Sequence, residues 1–380
     1  MIRVGPSLLL ALVLVAGAES SGAETAVDLA TKGLQEAKAK NWDAALADFD
    51  RAIALNPADP MTYYNRGVVQ QTKGDYDRAL ADFDHAIALE PRDAEFYYSR
   101  GTARLAKDAT DEAMADFDRA IALEPKLAKA FMNRGTTRYA KGDLTAALAD
   151  FDAAIALDPN YAMAFNNRGN AKCVRGDLDG AIADFSRAVA LDPKYAKAFV
   201  NRAGAEYAKD DCDAAIADYA RALALDSANP GAYLGRGEAR DLRGDFNGAR
   251  ADFEKYLALN PKAFDDARFR LVLLLRRLHA DERRAGLRPA VAGWPDGWTK
   301  TVGLFLTDAI KEPDFLERAT HGKASDVRQH QCEAGYYSGM AHLLKNEPKL
   351  ARPLFEQCVA TGLTALPECK LARAELARLR

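Results

Sequence analysis

The apolar positions of this chain recur on a 34-residue cycle. Its anchor is a large aromatic, at Phe49, Phe83, Phe117, Phe151, Phe185, Tyr219 and Phe253. Within one cycle Tyr63, Gly67, Ala79, Phe83, Ala86, Ile87 and Leu89 follow spacings of three and four, which predicts two amphipathic helices. Lys73-Gly74-Asp75 interrupts the pattern. Gly74 suits a left-handed helix end and Asp75 an N-cap, and Pro91 closes the unit. Each cycle therefore reads as helix, tight turn, helix. Such a unit cannot bury its apolar face alone, so the copies must stack into a solenoid.

Small residues explain how the two helices meet. Gly67, Gly101, Gly135, Gly169 and Gly237 share one register position, with Ala203 in the remaining copy. Ala45, Ala79, Ala113, Ala147, Ala181, Ala215 and Ala249 share another. The aromatic is expected to fill the wedge toward the next copy, contributing on the order of 2 kcal/mol per ring. Tyr63, Gly67, Ala79, Phe83, Ala86 and Pro91 sit at the six offsets of the tetratricopeptide repeat (TPR) pattern, and Ala26 to Pro261 resembles that family. The resemblance implies an all-α TPR solenoid, a right-handed superhelix, with seven repeats over residues 26–262 and an irregular helical C-terminal cap.

Two polar ladders run through the repeat. Arg66, Arg100, Arg134, Arg168, Arg202 and Arg236 precede the small residue, and Asp48, Asp82, Asp116, Asp150, Asp184, Asp218 and Asp252 precede the aromatic. Fork geometry favours Arg–Asp pairing along the stack; an anion-binding stripe is the competing reading. The second ladder is Asn65, Asn133, Asn167 and Asn201, with Ser99 and Gly235 at the equivalent places. In the TPR family this position faces the concave groove, and such asparagines grip an extended peptide backbone through paired donors and acceptor. The candidate groove set is Asn65, Asn133, Asn167, Asn201, Asn170, Tyr64, Tyr98, Lys129 and Lys197, among neighbours Glu95, Tyr139, Tyr207 and Glu238. The plainer alternative is that Asn is the repeat's default, solvated residue. Lys129, Asn133, Lys197 and Asn201 are fragments of a carboxylate clamp, but the Lys and Asn of its first repeat are missing.

Composition narrows the partners. The 380 residues are 49% hydrophobic and 28% charged, with a net charge of −3 and no basic segment interleaved with aromatics. Nucleic acid is therefore not the expected partner. No GxSxG, HExxH or P-loop occurs, and His330 and Cys332 lack the further ligands of a zinc set. A non-enzymatic chain without cofactor or metal is expected. Arg175-Gly176-Asp177 and Arg243-Gly244-Asp245 fall on the inter-helix turn, which argues against an integrin motif.

The N-terminus reads as an export signal: Arg3, an apolar run from Leu8 to Val15, then Ala16-Gly17-Ala18 as the cleavage pattern. Cleavage after Ala18, or less favourably after Ala23, removes residues 1–18 and leaves a linker over 19–25. No further membrane span is expected. Five cysteines, Cys173, Cys212, Cys332, Cys358 and Cys369, would then meet an oxidising compartment.

After Pro261 the period fails. Ala263 to Ala285 is expected to be a long Arg-rich helix with Phe269, Leu271, Leu274, Leu275 and Leu278 on its apolar side. Further short helices, Trp298 to Ala309 and Asp314 to Ala319, complete a connector over 263–326. Residues 327–380 return to the repeat, with Tyr336, Gly339, Ala351, Phe355 and Cys358 on TPR offsets and a capping helix from Glu368 to Leu379. Trp294 and Trp298, Tyr336-Tyr337-Ser338-Gly339, Leu354-Phe355 and Ala372 to Leu376 resemble the NlpI-like periplasmic TPR proteins of Gram-negative bacteria. That likeness implies an envelope adaptor that brings peptidoglycan hydrolases to a protease, or a scaffold of cell-wall machinery. The chain departs from it in lacking a lipobox Cys and in having seven regular repeats. In a TPR stack the positions of Cys358 and Cys369 approach each other, so this disulfide is expected first and Cys332–Cys358 second. The sequence thus points to an exported scaffold holding envelope proteins or an extended peptide in its groove. The alternative is an assembly or regulatory factor that docks partners through its C-terminal unit.

Overall fold

The computed structural model describes residues 24–261, 266–280 and 286–380. The expected signal peptide, and both ends of the expected Arg-rich helix, lie outside the described residues. The chain divides into two compact units, one ending at Arg175 and one spanning Gly176–Arg380. The first unit contains α1 (Ala26–Lys38), α2 (Trp42–Leu55), α3 (Pro60–Lys73), α4 (Tyr76–Leu89), α5 (Ala94–Ala106), α6 (Thr110–Leu123), α7 (Ala128–Ala140), α8 (Leu144–Leu157) and α9 (Ala162–Arg175). The second continues with α10 (Leu178–Leu191), α11 (Ala196–Ala208), α12 (Cys212–Leu225), α13 (Pro230–Arg243) and α14 (Phe246–Leu259). Beyond the regular hairpins lie α15 (Asp266–Arg277), α16 (Leu287–Ala292), α17 (Trp298–Leu306), α18 (Glu312–Arg318), α19 (Ala324–Leu344), α20 (Pro348–Ala360) and α21 (Pro367–Arg378). The architecture is the all-α tandem-hairpin solenoid pattern expected.

The turn chemistry sets the helix ends. Gly74 closes α3 at φ 84°, and the Asp75 carboxylate accepts from the Arg78 amide at 3.3 Å to open α4. Where that glycine is missing, Asp108 and Asp210 take the left-handed conformation, at φ 60° and 65°. Aspartate tolerates that region better than most residues.

The anchor ring packs toward the next hairpin as expected, Phe83 with Ala103 and Phe151 with Ala171, and it also lies across the glycine of its own hairpin. A Cβ on Gly67 would stand 2.8 Å from Phe83 Cε1, and one on Gly101 2.8 Å from Phe117 Cε1. Only glycine allows that approach, and the ring then seals the helix pair from water. Tyr219 is different: it reaches forward over Gly235, where a Cβ would lie 2.8 Å from Cε2. Its own hairpin can therefore carry Ala203, and the next hairpin cannot carry an asparagine at Gly235.

Arg–Asp pairing joins the helices and the hairpins. Arg66 forks onto Asp82 of its own hairpin, at 2.8 and 2.6 Å, and its third nitrogen reaches Asp50 of the preceding hairpin at 2.6 Å. Arg100 spans Asp116 and Asp84 in the same way, and Arg134 spans Asp150 and Asp118. In the second unit Arg202 holds Asp218 and Ser186 Oγ, and Arg236 holds Asp252. These guanidinium groups are spent on carboxylates, so the network reading holds over the anion stripe.

In the second unit the chain beyond α14 packs back on the hairpins. Ala267 to Leu275 is buried on every side of α15, including Arg268 and Arg270, which a helix with one apolar stripe would leave in water. α19 and α20 form a further hairpin with Phe355 over Gly339. Trp298 stacks between Phe315 and His330 and donates to Glu333 at 2.6 Å. The disulfide joins Cys332 to Cys358, which corrects the expected Cys358–Cys369 pairing; Cys369 is a buried free thiol. Gly335 brings the backbones of α19 and α20 together beside Cys358, and Cys332 lies one helical turn before that glycine.

Asp150 is 3% exposed and depends on the Arg134 fork for two of its hydrogen bonds. Arg134→Ala is expected to lower stability by about 2 kcal/mol in urea denaturation, because the buried carboxylate loses the fork and keeps only Arg138, at 2.8 Å. Arg134→Lys should recover only part of this, since an ammonium cannot fork.

Candidate binding face on the first helices

Residues three and four apart share one face of a helix. On α5 and α7 this places Glu95, Tyr98, Ser99 and Thr102 beside Lys129, Asn133 and Thr136. The structure draws four of them into one cluster. Lys129 Nζ sits 2.5 Å from Glu95 Oε2 and 4.4 Å from the centre of the Tyr98 ring. Asn133 Nδ2 donates to the Tyr98 hydroxyl at 3.2 Å. Burial holds the Tyr98 hydroxyl well above its ordinary pKa, with Tyr161 and Glu95 adding to the shift, so it stays protonated.

The ladder interlocks along the chain. Ser99 donates to the Tyr64 hydroxyl at 3.3 Å, and burial raises that hydroxyl to about 12. Gln71 donates to Thr102 at 2.9 Å. Asn167 donates to Thr136 at 3.1 Å and accepts from Asn166 at 3.2 Å. Ser99, Asn133 and Asn167 thus each reach back to the preceding hairpin. Asn133, 8% exposed, spends one amide hydrogen on Tyr98; its side-chain amide has a second hydrogen and a carbonyl besides. The asparagines are neither idle nor wholly free, and the tyrosines of the preceding hairpin position them.

Other candidates stand apart. Asn65 and Asn170 are half-buried on their helices, without the interlocking bonds of Asn133 and Asn167. Asn201 and Lys197 belong to the second unit, where Lys197 is exposed. Sequence reasoning missed the Glu95–Lys129 pair and the Tyr64 and Tyr98 hydroxyls as partners of the ladder. A Tyr 35 residues before Ser99 and before Asn133 was the available signal.

It also missed what covers the corresponding face in the second unit. Leu234 and Leu242 of α13 pack against the C-terminal core. Arg270, 1% exposed, lies 3.8 Å from Glu238 on α13. Arg277 forks onto Glu375 of α21 at 2.8 Å through each of two nitrogens, and Arg378 reaches the backbone carbonyls of Asp241 and Leu242. The last hairpin face is closed by the chain's own C-terminal segment. Among the described residues no group of three or more His, Cys, Asp or Glu could hold a metal ion, and no helix is long and apolar enough to cross a membrane.

Asp241 is buried, and desolvation raises its pKa to about 6. Arg270 and Arg277 of α15 and Arg378 of α21 pull it down, while Glu375 of α21 pushes it up; Tyr336 of α19 also faces it. The folded carboxyl therefore keeps a proton that the unfolded chain has already lost near pH 4. The contribution of this group to stability is present at pH 4 and is lost as pH rises to about 6. Asp241→Asn should flatten that slope, so that the gap in urea midpoint between variant and wild type grows from pH 4.5 to pH 7. A gap that is constant over that range would contradict the assignment.

Three tetratricopeptide repeat models match the chain, over residues 36–107, over 94–127, and over 132–196 with 200–264. No curated protein matches it. Among solved structures it is similar to the APC/C hetero-tetramer Cut9-Hcn1, with TM-score 0.53 and 17% identity over 66% of this chain and 48% of that one. It is similar to pilF of Pseudomonas aeruginosa, with TM-score 0.51 and 16% identity over 55% and 96%. The C-terminal part of a TPR protein from Cytophaga hutchinsonii gives TM-score 0.50 and 19% identity over 63% and 98%. At these identities the likeness is one of fold.

Proposed function

Because the chain belongs to the tetratricopeptide repeat family, whose models span more than half of it, we propose that it is an exported, non-catalytic scaffold that binds other polypeptides. The binding face is that of α3, α5, α7 and α9 in the first unit, and its ligand is an extended segment. The observation that carries this reading is the Glu95–Tyr98–Lys129–Asn133 cluster. It offers amide, hydroxyl and ring surface in a row that continues through Tyr64 and Ser99 on one side and Thr136 and Asn167 on the other. Met163, 40% exposed on α9, adds apolar contact area to the same unit. The second unit supports the same assignment by contrast, since the face of α13 is already covered.

The compartment we infer is the envelope of a Gram-negative bacterium. Its supports are the signal pattern ending at Ala18 and the Cys332–Cys358 bond, which suits an oxidising compartment. The likeness of residues 294–379 to NlpI-like adaptors belongs to this reading. On it the partners are envelope proteins or their peptides.

Two measurements test it. A pull-down from envelope extract should lose its partner with Asn133→Ala/Asn167→Ala. Two hydrogen bonds at about 1 kcal/mol each amount to roughly thirtyfold in affinity. Undiminished recovery from a folded variant would remove the ladder from the binding role. For export, N-terminal sequencing of protein released by osmotic shock should start at Glu19; an intact Met1 in the cytosolic fraction would refute it.

A further inference from the structure

The C-terminal helix docks on the second unit by a recognisable device. Lys370 Nζ donates to the carbonyls of Tyr207 and Ala208, at 3.1 and 3.3 Å, and reaches the Asp210 carboxylate at 2.5 Å. Arg378 donates to the carbonyls of Asp241 and Leu242, at 3.4 and 2.9 Å, beside Gly244. These are last-turn carbonyls of α11 and α13 at the negative end of the helix dipole; those of Tyr207 and Asp241 also accept the turn amides of Asp210 and Gly244, while those of Ala208 and Leu242 take no backbone amide among the described residues. The two cations stand eight residues apart on α21, about 12 Å along a helix axis. That is close to the spacing of packed neighbouring helices, roughly 8–10 Å. One helix thus caps the carboxyl ends of two consecutive first helices.

The repeat places a second copy of this dock in the first unit. Counting back three repeats from Ala208, Asp210, Leu242 and Gly244 gives Ala106, Asp108, Ala140 and Gly142. The backbone matches as well as the register. Asp108 and Asp210 are both left-handed, at φ 60° and 65°, and so are Gly142 and Gly244, at φ 84° and 93°. Among the described residues nothing donates to the carbonyls of Ala106 and Ala140, and both residues are exposed. Leu105 and Leu144 stand where Tyr207 and Phe246 receive the cations of α21, so the copy keeps apolar contact but lacks the two cation–π contacts.

We propose that the carboxyl ends of α5 and α7 are a docking site for a helix of a partner protein that carries Lys and, eight residues later, Arg or Lys. The partner's first cation sits on the Ala106 carbonyl and Asp108, and its second on the Ala140 carbonyl beside Gly142. Charge complementarity fixes the direction, because only the α5 end offers a carboxylate at this place. The site deepens the binding reading given above by adding a basic helix as a partner element at the rim of the same helices.

The test titrates the full-length protein with a labelled peptide of residues 364–380, Cys369→Ser, at low salt. Binding should weaken at least tenfold when the peptide carries Lys370→Ala and Arg378→Ala. It should weaken as much when the protein carries Ala106→Arg/Ala140→Arg, two exposed positions at helix ends where added cations leave the fold intact, as circular dichroism will check. Equal binding by the alanine peptide, equal binding by the double-Arg protein, or no binding at all would overturn the proposal. So would a dimer in sedimentation that Lys370→Ala/Arg378→Ala abolishes, since the occupant would then be the α21 of a second copy. If a partner is recovered in the pull-down while this peptide fails to bind, the basic-helix site falls and the scaffold reading stands.

Discussion

A buried carboxylate needs a cation, and in this chain a forked arginine supplies it while joining two hairpins, with Arg104 and Arg138 as second cations on Asp116 and Asp150. Asp82, Asp116 and Asp150 stand beside the anchor rings at 2–4% exposure. Each is held by the fork of an arginine on the facing helix, and that arginine's remaining nitrogen takes an aspartate from the hairpin before. Apolar stacking alone would tolerate sliding or rotation between hairpins. A planar group with three directed bonds does not, so the bridge fixes the angle at which each hairpin meets the next. The face presented by α3, α5 and α7 follows from that angle. The reach of Asn133 to Tyr98 and of Ser99 to Tyr64 exists only because successive first helices hold a constant offset.

The exceptions to the repeat obey the same logic. Tyr219 turns its ring forward, which frees its own hairpin to use Ala203 and obliges the next to use Gly235. The asparagine ladder ends there for a steric reason and not through drift. Arg202 meets Ser186 in place of a second aspartate, so the bridge weakens where the ladder ends.

The hairpins, their turns and the Arg–Asp pairs were legible in the sequence because each is repeated. A period lets every copy vote on the role of a position, and local chemistry such as Gly74-Asp75 carries its own geometry. The packing of the anchor ring toward the next hairpin was legible, but spacing alone does not show that Phe83 also covers Gly67. The C-terminal segment was legible only as helices. Arg277 finds Glu375 across 98 residues, and Cys332 finds Cys358 and not Cys369, and neither pairing has a second copy to reveal it. The candidate site was half legible. Asn133 and Tyr98 were both singled out, but their bond, and the Lys129–Glu95 pair that closes around it, come from the offset between hairpins.

The cover on α13 is a structural part of the second unit. Arg270 is buried, and its charge is balanced by Glu238 on α13, with Tyr207, Glu368 and Asp241 around it. Glu375 is 3% exposed and depends on Arg277. Lifting α21 away would leave Arg270 and Arg277 without Glu368 and Glu375, and an uncompensated buried charge costs several kcal/mol. The apolar core beneath, with Phe269, Tyr336, Tyr337 and Leu371, would open with it. A ligand that spends a few hydrogen bonds on an extended backbone cannot supply that much. The face of α13 is therefore covered as part of the fold, whereas the row on α5 and α7 is held only by bonds among its own side chains, Asn133 to Tyr98 and Lys129 to Glu95.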